Sequence, residues 1–153
     1  AAIRFPRGAG EGVALDPDIK SIALGEAELL RDGDDVLIAA YGTVVHPALE
    51  AAQELADRGV SAAVLNARFV KPLDLGRLLP LAEKCRAIVT VEEHSAMGGF
   101  GSAVLEALAE AGIRKPVRIV GVGDKLVEHG ESRETVGLGS ADIAAAAERL
   151  LES

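Results

Sequence analysis

Tryptophan is missing from this 153-residue chain, and aromatic residues of every kind make up only 3% of it. Any core must therefore be filled by Ala, Val, Leu and Ile. The single cysteine, Cys85, excludes an internal disulfide and fits a reducing compartment. Positive charge is scarce: 16 Lys and Arg stand against 24 Asp and Glu, a net charge of −8. General binding to nucleic acid or to an anionic membrane starts from a basic face, so this balance argues against both. Local recognition of one phosphate stays open. No apolar run approaches the roughly 20 residues that span a bilayer, and no signal-peptide pattern is present. The three histidines, His46, His94 and His129, fall in no metal-ligand spacing. A nucleophile elbow and a Walker phosphate loop are likewise absent.

What is present is enough apolar sequence for one ordinary domain, 49% hydrophobic against 26% charged. The first residues, AAIRFP, alternate Ile3 and Phe5 against Arg4 and read as a strand tip ended by Pro6. They lack an initiating Met and read as a domain cut from something longer. Residues 1–18 are accordingly expected to be the tail of a preceding domain plus a linker, and 19–153 a domain of their own.

KSIALGEAELLRDGDD has hairpin character, with Asp32-Gly33 as the turn. DVLIAAYG is an unbroken apolar run, the mark of a strand covered on both faces. Thr43 is expected to cap the next helix, whose Ala48, Leu49, Ala52, Leu55 and Ala56 share a stripe before Gly59 stops it. SAAVLNA is the next strand. Asp74 caps a helix with Leu75, Leu78, Leu79 and Ala82 on one stripe and Pro80 inside it, expected to kink or delay it. Cys85 extends that stripe and reads as a buried structural cysteine. AIVTVEE is a strand, Val104, Ala107, Leu108 and Ala111 form a helical stripe, and VRIVGVG is the last strand. Ser140 is expected to cap a terminal helix that buries Ile143, Ala147, Leu150 and Leu151. Alternating strands and helices predict a three-layer α/β sandwich. Its sheet has about five strands, mostly parallel, with an antiparallel edge strand.

Two stretches carry candidate chemistry. In VEEHSAMGGFGSAV an apolar strand runs into glycines and then a helix, the order that seats a pyrophosphate on a helix N-terminus. The match is partial. Gly99 and Gly101 supply G-x-G, Val104 stands where a third small residue belongs, and Asp124 lies where a ribose-binding acid would sit. Glu92 and Glu93 precede the turn and would repel a pyrophosphate. The glycines are better read as a sharp turn with close backbone approach. Met97 and Phe100 in that loop are expected to be exposed and to face another domain or subunit. In IRFPRG, Arg4 stands at a strand end, where ligands of parallel sheets collect, and offers a fork of donors for phosphate or carboxylate. A salt bridge is an equal reading of Arg4 on these grounds alone.

IRFPRG, NARFVKPLD, VTVEEHSAMGGFGSAVLEAL and GVGDKLVEHG, in this order and spacing, resemble the C-terminal part of the 1-deoxy-D-xylulose-5-phosphate synthases, transketolase-like thiamine diphosphate enzymes. The resemblance covers nearly the whole chain. Gly123 departs from it where a Pro is usual, and Tyr41 where a Leu is common. It implies a transketolase C-terminal-domain fold within a three-domain, homodimeric, cytoplasmic transferase. The implied reaction condenses pyruvate, with decarboxylation, and glyceraldehyde 3-phosphate to 1-deoxy-D-xylulose 5-phosphate, which feeds isoprenoid and thiamine synthesis. Thiamine diphosphate and Mg²⁺ are implied to be held mainly by upstream domains, so this chain alone is not expected to be active. Arg4 matches the arginine that holds the acceptor's phosphate. The same domain of a transketolase or of a 2-oxoacid dehydrogenase β subunit is the alternative, and a dinucleotide-binding module a more distant one.

Overall fold

The computed structural model describes residues 20–152, together with residues 2, 10, 12–13 and 17–18. Arg4 and most of the expected tail and linker lie outside the described residues. Within them the chain runs β1 (Glu28–Arg31), β2 (Val36–Tyr41), a 3-10 turn (Gly42–Val44), α1 (Val45–Asp57), β3 (Ala62–Asn66) and α2 (Leu75–Lys84). It continues through β4 (Ala87–Ser95), α3 (Phe100–Glu110), β5 (Val117–Val122) and α4 (Ser140–Leu151). The five strands form one sheet in the order β1-β3-β2-β4-β5, parallel except for β1.

Alternate residues of the central strands serve opposite faces, as the period of two requires. Val36, Ile38 and Ala40 of β2 pack with Val89 and Val91 of β4 under α1 and α4. Leu37 and Ala39 pack with Leu65 and Ile88 under α2 and α3. These are the three layers, and their fill is the small aliphatic set that the lack of aromatics demands. Of the expected stripes, Leu75 and Ala111 are exposed, and Ala56 and Ala107 are half-buried at the edges of the layers.

The expected hairpin does not form. The antiparallel edge strand is there, but β1 pairs with β3, with Glu28 opposite Asn66 and Leu29 opposite Leu65. Both edges of β2 are already taken by parallel partners, Ile38 lying beside Val64 on one side and Val89 on the other. The connection instead slips past the start of β3 at Gly33, where a Cβ would collide with the backbone of Ala62 and Ala63. Lys84 then holds Asp32 and Asp34 at 2.8 and 2.7 Å.

Helix starts also differ in detail. Asp74 caps α2 as expected, its Oδ1 accepting from the Arg77 N–H at 3.1 Å, and the helix runs on through Pro80. Thr43 does not cap α1. The cap position is Val44, because Gly42–Val44 wind a 3-10 turn first. Ser140 is the first residue of α4 and not its cap; the Gly139 N–H donates to Asp142 Oδ2 at 3.2 Å.

Candidate functional site

The winding of the sheet reverses around β2. From β2 the chain passes through α1 to β3 on one side, and from β3 it returns through α2 to β4 on the other. Because α1 and α2 lie on opposite faces, their turns splay apart and leave a crevice at the carboxyl ends of the strands. A cleft of about 760 Å³ opens there, between the turns that follow β2, β3 and β4.

Its walls are built from three short segments. After β2 come Tyr41, Gly42 and Thr43. After β3, within the NARFV stretch, come Asn66, Arg68 and Phe69. Arg68 adopts a left-handed backbone, φ 53°, and its N–H donates to Asn66 Oδ1 at 3.2 Å. Its guanidinium is drawn aside to Glu28 Oε2 of β1 at 2.6 Å. The last residues of β4 supply Glu92, Glu93 and His94, and the glycine turn follows them. Glu93 pairs with Arg133 at 3.3 Å, and His94 is exposed.

Glu92 settles the question raised by the glycines. Its side chain is 1% exposed. One carboxylate oxygen accepts from the Phe100 N–H at 2.7 Å and the other from the Gly101 N–H at 2.9 Å. These are orphan donors of the first turn of α3, at the positive end of its dipole. The expected repulsion of a pyrophosphate by Glu92 therefore understates the case: the acid occupies the anion position itself. Glycines pack closely around it. A Cβ on Gly99 would run into the Glu92 carboxylate, one on Gly121 would lie 3.2 Å from Glu92 Cγ, and one on Gly101 would lie 2.6 Å from Thr90 Oγ1. Asp124 is exposed and is not among the residues lining the cleft.

The expected contact pair is half corrected. Met97 is 70% exposed, but Phe100 is 2% exposed and faces inward. Its ring stacks on Tyr41 at a centroid distance of 5.8 Å and packs with Val104 and Leu108. Phe100 precedes Val104 by four residues and Leu108 by eight, so it belongs to the buried stripe of α3 and is not the exposed loop residue expected. Cys85 is buried, as expected, with Sγ 3.6 Å from the Gly33 carbonyl oxygen. Its burial pushes the thiol pKa up, which suits a packing role. His46 lines a separate hollow of about 320 Å³ at the start of α4, and His129 lies in the exposed segment after β5. Among the described residues no three His, Cys, Asp or Glu side chains come together as a metal site would need.

Residues 25–149 match the family model described as "Transketolase, C-terminal domain". The chain belongs to that family. As a transketolase C-terminal domain it is 50% identical over 156 aligned residues to the 1-deoxy-D-xylulose-5-phosphate synthase of Trichormus variabilis, covering 99% of this chain and 24% of that protein. It is 54% identical over 147 residues to the synthase of a Synechococcus strain, covering 94% and 23%. It is 49% identical over 154 residues to 1-deoxy-D-xylulose-5-phosphate synthase 1 of Geobacter sulfurreducens, covering 98% and 24%. The domain thus spans about a quarter of the length of these relatives. Among solved structures it resembles a split-gene transketolase described as an inactive β4 tetramer, with TM-score 0.83 and 39% identity over 90% of this chain and 46% of that one. A 2-oxoglutarate:ferredoxin oxidoreductase from Magnetococcus marinus shares the fold alone, with TM-score 0.56 and 15% identity over 82% of this chain and 19% of that one. No helix among the described residues is long and apolar enough to cross a membrane.

Proposed function

We propose that this domain is the C-terminal part of a thiamine diphosphate-dependent 1-deoxy-D-xylulose-5-phosphate synthase. The whole protein would join pyruvate, with loss of CO₂, to glyceraldehyde 3-phosphate in a route to isoprenoids and thiamine. The observation that carries this reading is identity of about a half to synthases of that name along nearly the full chain. The split-gene transketolase, whose name points to the alternative chemistry, stands at 39%.

The described residues do not fit the diphosphate of the cofactor or its Mg²⁺. The phosphate-type turn is filled by Glu92, and no metal-ligating cluster accompanies it. No catalytic step is therefore assigned to the cleft. In this reading the cofactor is held by domains outside this chain, and the protein works as a cytoplasmic homodimer. Met97, exposed on the glycine turn, supports a contact with a neighbouring domain or subunit.

Arg4 is the substrate-binding residue of the proposal. Its planar fork suits the phosphate of glyceraldehyde 3-phosphate. In the full-length enzyme, Arg4→Ala is expected to raise KM for glyceraldehyde 3-phosphate at least about tenfold, the loss of one charge-assisted pair, and to leave KM for pyruvate nearly unchanged. Equal effects on the two substrates would remove Arg4 from the acceptor site. Turnover with a sugar phosphate donor in place of pyruvate would favour the transketolase alternative.

A further inference from the structure

Two hydroxyl oxygens, Thr43 Oγ1 and Thr90 Oγ1, are buried with no hydrogen-bond partner among the described residues. A hydroxyl that leaves water without gaining a partner is destabilising, and valine would fill the same space without it. Thr90 is fully buried beneath α3, where Gly101 closes over it. Thr43 is placed differently. It follows β2, lines the 760 Å³ cleft and takes no part in capping α1. One rotamer step about χ1 exchanges its hydroxyl and methyl, so a molecule in the cleft can be met by either.

The other walls decide what kind of molecule fits. Tyr41 and Phe69 are half-buried and give the cleft aromatic surface for a flat ring. Asn66 accepts from the Arg68 N–H at 3.2 Å, and its NH₂ group makes no hydrogen bond among the described residues. That group is a donor suited to a carbonyl. Charge narrows the choice further. The Arg68 guanidinium is held by Glu28 Oε2 at 2.6 Å, while two acids, Glu92 and Glu93, line the cleft. Glu93 keeps Arg133 at 3.3 Å, and Glu92 already takes the N–H donors at the start of α3. An aromatic acid would meet carboxylates and no unpaired guanidinium. An amidinium would lack the oxygen that Asn66 can hold.

We propose that the cleft is a binding site for an uncharged aromatic carboxamide, its ring against Tyr41 and Phe69 and its amide on Asn66 and Thr43. The Thr43 hydroxyl is then a ligand-binding group, unpaired only while the site is empty. This inference does not rest on the reading of the protein as a synthase.

The test titrates benzamide and benzoate, alike in shape and different in charge, into the intact protein at neutral pH, with binding read by ligand-observed NMR. Benzamide is expected to saturate with Kd on the order of 1 mM, as suits so small a ligand. Benzoate should bind at least about tenfold more weakly, the cost of bringing a charge to like charge. Thr43→Val keeps the side chain's shape and removes the hydroxyl. It should weaken benzamide roughly three- to tenfold, the loss of one neutral hydrogen bond. Its unfolding temperature without ligand should equal or exceed that of wild type. Benzoate binding as tightly as benzamide, no saturation by benzamide at tens of millimolar, or an unchanged benzamide affinity in Thr43→Val would each overturn the proposal. So would a lower unfolding temperature for Thr43→Val, because the hydroxyl would then serve the fold.

Discussion

Replacing Gly101 with alanine puts the close seating of α3 on the sheet to a direct test. A Cβ at this position would lie 2.6 Å from Thr90 Oγ1 and 2.8 Å from both Cγ atoms of Ile119. Thr90 and Ile119 are register partners on β4 and β5, so the floor beneath the helix is a paired sheet and cannot recede at one point. Carbon atoms pack best at about 3.5–4.0 Å, so α3 would have to lift by roughly an ångström. Overpacking of this kind costs about 1–3 kcal/mol, and the lift also stretches the two hydrogen bonds to Glu92. Alanine's better helix propensity returns at most about 1 kcal/mol. The balance is a loss of about 2 kcal/mol, or a fall in Tm of about 4–8 °C for a chain of this size. Gly76→Ala in α2 is the control. Its Cβ meets nothing nearer than Asp74 Oδ1 at 3.4 Å, so its stability should be unchanged or slightly raised. Both variants can be followed by urea and thermal unfolding. Equal stability of the two would refute the steric account of the G-x-G turn.

Phe100→Ala should cost about 3–5 kcal/mol, as for other large buried rings, whereas Met97→Ala should stay within about 0.5 kcal/mol. The reverse order would restore Phe100 to the surface. Asp74 titrates below the usual carboxylate range. Burial alone would raise its pKa, but the Ala27 N–H, the Arg77 guanidinium and the Arg77 N–H together lower it. A folded-state pKa below the unfolded value of about 3.9 stabilises the fold above that pH, and the benefit disappears as pH falls through the folded value. The stability gap between wild type and Asp74→Ala, about 0.5–2 kcal/mol for a helix cap, should be flat from neutrality to about pH 5 and shrink below about pH 4. Urea midpoints across that range measure it, and a gap that persists in strong acid would contradict the assignment.

The layers of the fold were legible because β2 and β4 are covered on both faces, and that forces apolar residues at every position. The partner of β1 was not legible. Whether a strand after a turn pairs with its neighbour or with a more distant strand depends on which edges later parallel strands occupy. Cap positions slipped by one residue at α1 and α4, where side-chain preference at Thr43 and Ser140 yielded to backbone winding and to Asp142. Phe100 could have been placed by extending the Val104–Leu108 stripe backward one turn; its glycine neighbours disguised it as loop. Glu92 was read in the right sense, as an acid that would keep a pyrophosphate away, but not as the occupant of the turn itself. An acid eight residues before a helix start has no local signature as a cap, and only the return of the chain brings it there. Arg4 rests on its motif, outside the described residues.

The stacking of Tyr41 on Phe100 has a practical consequence. With no tryptophan and one tyrosine in the chain, every near-ultraviolet tyrosine signal of this domain originates at the mouth of the cleft. The phenol is held 5.8 Å from the ring that begins α3. Its circular dichroism and quenching therefore report whether that helix is seated, with no background from the rest of the domain. An intact sheet with a displaced α3 would keep its far-ultraviolet spectrum and lose the tyrosine band, so the two optical windows separate folding of the scaffold from assembly of the cleft.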